Sequence, residues 1–243
     1  MSLKKKIEFF IPARSGSSRI KNKNLKKING KTLLEISIKK CLKTKLGDVV
    51  VSTDSKSYAK YCKKKGAKIY YLREKNYSTS KSSTISSILY HIRYLKEKNI
   101  SLPEYLAIIP VTNPFLKATS IIKAFKKISN NKKFNSIVSY TKSTEHPFLY
   151  VDVNNDKIKF DLFKFRNFYY SDLERTQDWP YAIIATPSLK ITKTKYFLRY
   201  LKNKDPNFNL KTFDLNSCTG LEISNKESFD INTIKDLKLS KII

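Results

Sequence analysis

The chain has few of the residues that build disulfide frameworks or metal sites. Its 243 residues include three cysteines and two histidines. The cysteines are odd in number and far apart, which excludes a disulfide framework and leaves no zinc-ligand spacing. Cys41 and Cys62 fall at apolar positions of helical patterns, so we expect them to be buried free thiols.

Long apolar runs are also absent. No stretch approaches the roughly 18 apolar residues of a membrane span, so the sequence predicts no transmembrane segment. The opening MSLKKKIEFFIP resembles a signal peptide only briefly, because Glu8 interrupts its apolar part, Pro12 ends it and no small-residue cleavage site follows. We interpret this stretch as the first strand of a cytoplasmic protein.

Acidic residues are scarce beside basic ones. Twenty Asp and Glu stand against 49 Lys and Arg, and the net charge is +29. Of the basic residues 42 are Lys and 7 are Arg, spread along the whole chain. A nucleic-acid reader is expected to use Arg for base edges and to cluster its charge, so nucleic acid is not a favoured partner. Two explanations stay open, a compositional bias toward Lys, Asn and Ile or a polyanion-binding surface, and either attracts anionic small molecules.

Apolar runs alternate with helix-period segments through the first half of the chain. The pattern predicts strands over residues 7–12, 48–53, 67–72, 104–110 and 135–140, separated by helices over 31–43, 55–66, 84–98 and 118–129. Thr32 and Glu35 are spaced as a capping box, and Gly66 suits a helix end. The Ser/Thr run at 78–84 is interpreted as a loop that ends in a helix cap. This alternation predicts an α/β fold with a mostly parallel sheet flanked by helices on both sides.

The pattern changes after about residue 142. The stretch FLYVDVNNDKIKF at 148–160 has a hairpin pattern, and AIIATPSLKI at 182–191 resumes strand character. The tail from Ser228 is predicted as a short strand that leads into a helix. We interpret residues 1–243 as one domain, with residues 143–180 as an inserted lobe.

The loop after the first strand, within FFIPARSGSSRIKNKN at 9–24, has the composition of an anion site. Ligands of open α/β sheets bind beyond the carboxyl ends of the strands, and a Ser/Gly-rich loop lets backbone N–H groups approach phosphate oxygens. The stretch is not G-x-G-x-x-G, and GKT at 30–32 is not a Walker A end, because Leu25 stands where its first Gly belongs. A polyphosphate site is favoured over a solvated basic turn.

The same stretch resembles the signature IPARxGSKxIxxKN of the acylneuraminate cytidylyltransferase family. Further similarities follow in the family's order. They are VVVSTDS at 49–55, YLRE at 71–74, PVTNPFL at 110–116, RTQDWP at 175–180 and SFDINTIKDL at 228–237. The likeness covers nearly the whole chain.

This resemblance implies a Rossmann-like nucleotidyltransferase fold with a small dimerisation lobe, and a homodimer. It implies a reaction that couples CTP and a sialic-acid-like sugar acid (a nonulosonate) to a CMP-sugar and pyrophosphate, with Mg²⁺ as cofactor, for surface glycan synthesis. Matched residue by residue, the family's roles fall as follows: Arg14 and Lys23 catalytic; Arg14, Ser17, Arg19, Asn24 and Arg73 nucleotide-binding; Arg175 and Gln177 substrate-binding; Asp230 and Asn232 metal-binding.

The sequence departs from the family mainly at the metal and on the sugar side. Asn232 stands where the family has a second Asp, and Pro110 stands where it has a Gln. The loop Lys of the signature is replaced by Ser18, with Arg19 beside it. A salt bridge to Glu174 or Asp178 remains the alternative role for Arg175. The alternatives to the main hypothesis are a CMP-KDO-type synthetase or another anionic-acceptor cytidylyltransferase, and a non-catalytic descendant that binds nucleotides or RNA.

Overall fold

A central sheet organises the chain, and the computed structural model describes residues 6–17, 19–79, 82–154, 157–162, 164–203 and 211–242. The strands in these ranges are β1 Ile7–Pro12, β2 Lys27–Ile28, β3 Lys31–Thr32, β4 Asp48–Ser52, β5 Tyr105–Ile108, β6 Ser136–Lys142, β7 Asp152–Asn154, β8 Lys157–Lys159, β9 Ile183–Lys193 and β10 Cys218–Glu222. The helices are α1 Leu33–Thr44, α2 Lys56–Lys64, α3 Thr84–Glu97, α4 Ala118–Asn130, α5 Thr194–Asn203, α6 Asn225–Ser228 and α7 Ile234–Leu239.

Six of these strands form one sheet in the order β10-β6-β9-β5-β1-β4. β1 is parallel to both β4 and β5, β10 is parallel to β6, and β9 runs antiparallel between β5 and β6. The near-continuous apolar run of β1 suits a central strand that is covered on both faces. The predicted fold class, a mostly parallel sheet flanked by helices, is confirmed.

Two apolar cores cover the two faces of the sheet. Phe9 of β1 packs in one core with side chains of α1, α2 and α4, including Leu34, Tyr58 and Ile121. Phe10 points to the other core, with side chains of α3 and α5 that include Ile92. Successive residues of a strand face opposite sides, so β1 alone joins both cores.

Local signals at the helix ends behave largely as predicted. Thr32 caps α1 by accepting a hydrogen bond from the backbone N of Glu35 at 3.1 Å. The Glu35 carboxylate does not complete the capping box and instead pairs with Lys39 at 2.9 Å and Lys65 at 3.0 Å. Gly66 ends α2 with a φ of +92°, a conformation that favours glycine.

Cys41, Cys62 and His91 carry reactive groups, but their surroundings are those of structural side chains. Cys41 and Cys62 are buried free thiols, as predicted. His91 is buried on α3, and its Nε2 lies 2.6 Å from Oε1 of Glu8 on β1. This pair bridges a helix and the central strand inside the second core, which supports a structural role for His91.

Two strand predictions were wrong. Residues 67–72 form only isolated bridges beside β4, at Lys68 and Leu72. Residues 228–232 are not a strand either, because the Asp236 carboxylate accepts hydrogen bonds from the backbone N of Asn232 at 2.9 Å and of Thr233 at 2.7 Å. Those N–H groups therefore cap α7 instead of joining a sheet. The tail's strand is β10, earlier in the sequence.

A projection leaves the sheet between β6 and β9. Lys142 still pairs with Ile183, and the backbone N of Ser143 donates to Ala182 O at 3.0 Å. Beyond this point the predicted hairpin is present as β7 and β8, although residues 155 and 156 of its turn lie outside the described residues. A small aromatic cluster supports the projection, and its members are His146, Phe148, Phe165, Tyr170 and Trp179. Treating residues 143–180 as a separate lobe stays a prediction.

Candidate functional site

A cleft of about 290 Å³ opens where the carboxyl ends of β1, β4 and β5 meet. Parallel strands end at the same edge, so the loops that follow them converge there. The cleft is lined by Arg14, Ser17, Arg19, Lys23, Asn24 and Arg73, together with Pro12, residues 82–84, Ser87 and residues 110–112. The structure thus brings together every residue predicted to bind the nucleotide.

Hydrogen bonds to neighbouring elements hold the loop after β1 in place. The backbone N of Ser15 donates to Asp54 Oδ1 at 2.7 Å, and its hydroxyl donates to Asp54 Oδ2 at 2.9 Å. The Asn24 amide donates to Arg14 O at 2.9 Å, which closes the loop on itself. Asp54, which follows β4, therefore ties the loop after β1 to the neighbouring strand end. Ser18 lies outside the described residues.

Arg73 and Arg14, two of the three arginines that line the cleft, differ in burial. Arg73 is buried, and its guanidinium donates to the hydroxyl of Ser52 at 3.1 Å, to Ser52 O, and to Tyr77 O at 3.4 Å. Burial lowers the pKa of Arg73. Arg14 is less buried and donates to Thr79 O. Arg73 thus braces the cleft wall, and its role in binding the nucleotide stays a prediction.

Lys23 lies beside the segment that carries the two predicted metal ligands. Its Nζ donates to Ile231 O at 3.0 Å. Burial lowers the pKa of Lys23, and the nearby Asp230 carboxylate opposes that shift. Asp230 therefore lies on the same side of the molecule as Lys23 and the loop after β1, as one active centre requires.

Asp230 and Asn232 converge although they are not on a strand. The Asn232 Nδ2 donates to Asp230 Oδ2 at 2.6 Å. Asp230 Oδ1 is buried and has no hydrogen-bond partner among the described residues. A buried carboxylate oxygen without a partner fits a hard cation such as Mg²⁺, whereas Asn232 would have to turn its amide oxygen toward the ion. The described part of the chain contains no cluster of three or more His, Cys, Asp or Glu that could hold a metal ion.

The two residues predicted to bind substrate lie elsewhere. Arg175 and Gln177 are exposed on the projection and are not among the residues that line the cleft. Arg175 forms a bidentate pair with Asp178, with Nε–Oδ2 at 2.7 Å and Nη2–Oδ1 at 3.1 Å. The salt bridge that the sequence left open is present, and the substrate role of Arg175 and Gln177 stays a prediction.

The amino end of α3 is a part of the cleft that sequence reasoning missed. Ser83 caps this helix by accepting from the backbone N of Ser86 at 3.1 Å, and Ser83, Thr84 and Ser87 all line the cleft. The Ser/Thr run was interpreted only as a loop with a cap; its residues 80 and 81 lie outside the described residues. The amino end of a helix that lies in the same cleft as Arg14 and Arg73 favours a bound anion.

Lys190 on β9 was also missed. It pairs in register with Ile108, the last residue of β5, so it lies near the same edge of the sheet as the cleft. Burial lowers its pKa, and Asp230 opposes that shift. Its Nζ has no hydrogen-bond or ion-pair partner in the described ranges and lies 5.9 Å from the centre of the Phe213 ring. No site role was predicted for Lys190, because a single lysine within a strand has no chemical pattern of its own.

Comparison with known proteins assigns the chain to a family. A family model described as cytidylyltransferase matches residues 9–183, from β1 to the start of β9. The chain belongs to the cytidylyltransferase family. The matched region includes the loop after β1, Arg73 and the amino end of α3, so the residues that line the cleft lie within the region that the family model matches. This membership confirms the predicted enzyme class, a nucleotidyltransferase.

Curated relatives confirm the predicted resemblance to acylneuraminate cytidylyltransferases. An N-acylneuraminate cytidylyltransferase of Escherichia coli is 32% identical over 144 residues, which cover 59% of this chain and 33% of that protein. A pseudaminic acid cytidylyltransferase of Campylobacter jejuni is 27% identical over 235 residues, 96% of this chain and 94% of that protein. The chain thus spans about a third of the first relative and nearly all of the second.

A solved structure shares the fold. A CMP:2-keto-3-deoxy-manno-octonic acid synthetase complexed with CTP matches with a TM-score of 0.68, over 98% of this chain and 97% of that chain. The two sequences are 13% identical, so this likeness shows the Rossmann-like nucleotidyltransferase fold alone. No helix in the described part of this cytidylyltransferase combines the length and apolarity that a membrane crossing needs.

Proposed function

We propose that the chain transfers CMP from CTP to a sialic-acid-like nonulosonate and releases pyrophosphate. The observation that carries the proposal is the single cleft that holds Arg14, Ser17, Arg19, Lys23, Asn24 and Arg73 beside Asp230. Both curated relatives described above are named as cytidylyltransferases of sugar acids of this type. A cytoplasmic location and a role in surface glycan synthesis belong to the same proposal.

The chemistry needs positive charge more than it needs an acid or a base. A hydroxyl oxygen of the acceptor attacks the α-phosphorus and releases its proton to solvent, while the bond from that phosphorus to the oxygen of the β-phosphate breaks and pyrophosphate departs with that oxygen. Negative charge then accumulates on the departing pyrophosphate, so catalysis depends on in-line positioning and charge neutralisation. Arg14 and Arg19 supply fixed charge for the triphosphate. Lys23, held by Ile231 O, supplies a point charge near the reacting phosphate.

We propose Mg²⁺ as the cofactor, held by Asp230 and, after rotation of its amide, by Asn232. When bound, the ion supplies further neutralisation of the phosphate charge. The unpartnered Oδ1 of Asp230 supports this position. With one carboxylate instead of two, the site should bind Mg²⁺ weakly.

The acceptor is expected on the β9 side of the cleft. The loop after β1 and α3 provide the groups suited to phosphates, so we place the sugar acid beyond them, toward β9. Lys190 is a cation in that direction with no hydrogen-bond or ion-pair partner in the described structure, and a carboxylate of the acceptor would pair with it.

A homodimer is part of the proposal. The projection between β6 and β9 exposes several apolar side chains, including Val153 at 62%, Ile158 at 58% and Leu149 at 49%. Exposed apolar groups in one region are typical of a surface that another chain covers. In such a dimer the exposed Arg175 and Gln177 could reach the acceptor of the other subunit.

Pyrophosphate release tests the proposal directly. The chain is mixed with each of the four nucleoside triphosphates, Mg²⁺ and a panel of nonulosonates, with 2-keto-3-deoxyoctonate included to represent the alternative acceptor. We expect release only with CTP and a nonulosonate, and its loss in Lys23→Met. Lys21→Met is the matched control, because Lys21 is exposed in the same loop and does not line the cleft.

Two results would contradict the proposal. Release with 2-keto-3-deoxyoctonate alone would assign the acceptor to the other synthetase type. Steeply salt-dependent RNA binding without turnover of CTP would favour the alternative hypothesis, a non-catalytic protein that binds RNA through its net charge of +29.

A further inference from the structure

A buried ammonium on α1 holds the turn behind the cleft. Lys40 is 8% exposed, and its Nζ donates to Asn113 O and to Pro114 O, the latter at 3.2 Å. No carboxylate lies within ion-pair distance of it among the described residues, although Glu227 contributes a favourable field. The two carbonyl oxygens are therefore the groups that fix the ammonium, and the ammonium in turn fixes them.

This arrangement costs stability. Burial lowers the pKa of Lys40 to about 8, so the charged form at neutral pH is held against a desolvation penalty. An apolar side chain of similar length would fill the same space without that penalty. A costly buried charge is expected where the segment it holds has a function.

The turn at residues 112–114, which Lys40 holds, is hydrogen-bonded to the chain on both sides of Asp230. Asn113 Nδ2 donates to Phe229 O at 3.1 Å and to Ser228 O at 3.4 Å. The backbone N of Ile231 donates to Thr112 O at 2.9 Å. The residues before and after Asp230 are thus both bound to the turn at 112–114, whose Thr112 also lines the cleft.

We infer that Lys40 and Asn113 are positioning residues that fix the Asp230 carboxylate at the cleft and thereby set its affinity for a divalent cation. The inference rests on the proposed function, because that proposal makes Asp230 the cation ligand. Neither side chain is hydrogen-bonded to Asp230 or Asn232 in the described structure. Their effect passes through the backbone on either side of Asp230. Residues that orient metal ligands in this way commonly change metal affinity by about 10- to 100-fold when they are replaced.

The test uses two variants, Lys40→Met and Asn113→Ala, with Lys43→Met as the control on the same helix. Lys43 is exposed, so its loss leaves the turn untouched. Three quantities are measured: Mn²⁺ affinity by electron paramagnetic resonance with and without CTP, amide hydrogen exchange at Ile231, and the Mg²⁺ concentration for half-maximal pyrophosphate release. Lys40→Met should change the Tm little, because the removed desolvation penalty offsets the lost hydrogen bonds to Asn113 O and Pro114 O. Asn113→Ala keeps the test informative if Lys40→Met does not fold.

We expect the Mn²⁺ dissociation constant and the half-saturating Mg²⁺ concentration to rise on the order of tenfold in both variants. Exchange at Ile231 should accelerate, and Lys43→Met should match the native chain. Unchanged Mn²⁺ affinity and unchanged exchange would overturn the inference, as would failure of the native chain to bind Mn²⁺ with CTP present. If the native chain turns over no nucleotide but the variants still weaken Mn²⁺ binding, the positioning role stands and the proposed reaction fails.

Discussion

Restoring a second carboxylate beside Asp230 is the sharpest perturbation of the candidate site. In the native chain Asn232 Nδ2 donates to Asp230 Oδ2 at 2.6 Å, while Asp230 Oδ1 is buried without a partner in the described structure. Asn232→Asp exchanges that hydrogen bond for two carboxylates in contact. We expect the variant to be less stable than the native chain without divalent ions and to bind Mg²⁺ more tightly.

The size of both effects follows from the surroundings. Two unit charges about 4 Å apart repel by about 1 kcal/mol in water and about 4 kcal/mol at a dielectric constant near 20. Asp230 is half-buried, and Lys23 and Lys190 lie close enough to offset part of the repulsion. A loss of about 2 kcal/mol without Mg²⁺ is expected, or roughly 4–8 °C in Tm for a chain of this size. One added carboxylate ligand should strengthen Mg²⁺ binding about tenfold, which is about 1.4 kcal/mol.

Thermal unfolding across a Mg²⁺ titration, with and without CTP, measures both effects in one experiment. Asn99→Asp is the charge-matched control, since Asn99 is exposed beyond the carboxyl end of α3, away from the amino end that lines the cleft. The control should show no added Mg²⁺ response, and any loss of Tm caused by its negative charge at the carboxyl end of α3 should be independent of Mg²⁺. An Asn232→Asp chain with native Tm in the absence of Mg²⁺, or with an unchanged or weaker Mg²⁺ dependence, would refute the assignment of this pair as the cation site.

Three further substitutions test other parts of the site. Gly16→Ala should keep its stability or gain about 0.4–1 kcal/mol, because a Cβ at this position meets nothing within 4 Å. The same variant should bind CTP more weakly if the backbone of the loop after β1 approaches the phosphates. Native CTP affinity in Gly16→Ala would contradict that approach. Lys190→Met should raise the KM for the sugar acid about tenfold and leave that for CTP unchanged, with the exposed Lys195→Met as control. Because the folded-state pKa of Lys40 (about 8) lies below the ordinary lysine value of about 10.5, the unfolded chain binds more protons between these values. The native free energy of unfolding should therefore rise across that pH range by about 3 kcal/mol relative to Lys40→Met, and parallel pH profiles would exclude the buried ammonium.

The parts of the site that the sequence predicted are those encoded by short contiguous stretches. An apolar strand followed by Ser, Gly and basic residues specifies both the loop and its place at the sheet edge, so Arg14, Lys23 and Asn24 could be grouped in one cleft before any coordinates. Asp230 could be added through a motif, although the strand predicted for it was wrong. Its side chain contacts that of Asn232, whose backbone N–H caps α7. The alternation of side chains along a strand does not predict this geometry.

The parts that could not be predicted depend on distant pairing. The antiparallel course of β9 follows from the long projection that separates it from β6, and its register shifts between Val138 and Tyr140, opposite a stretch that contains Pro187. A proline has no N–H to donate, so a strand that includes one is expected to lose regular pairing there. Only this register brings Lys190 to the end of β5, and therefore toward the cleft.

The charge balance of the cleft links these features. Arg14, Arg19 and Lys23 line it and Lys190 lies near its edge, whereas Asp230 is the carboxylate beside them and Asn232 removes the second one. A triphosphate in this cleft meets several fixed cations before any metal ion, so side chains can take over part of the neutralisation that a two-carboxylate metal site would provide. On this reasoning the Asn232→Asp chain should depend more steeply on Mg²⁺ but need not turn over faster, because its added carboxylate also weakens the field of Lys23. A rise in kcat at saturating Mg²⁺ would indicate instead that metal charge, not lysine and arginine charge, limits the native reaction.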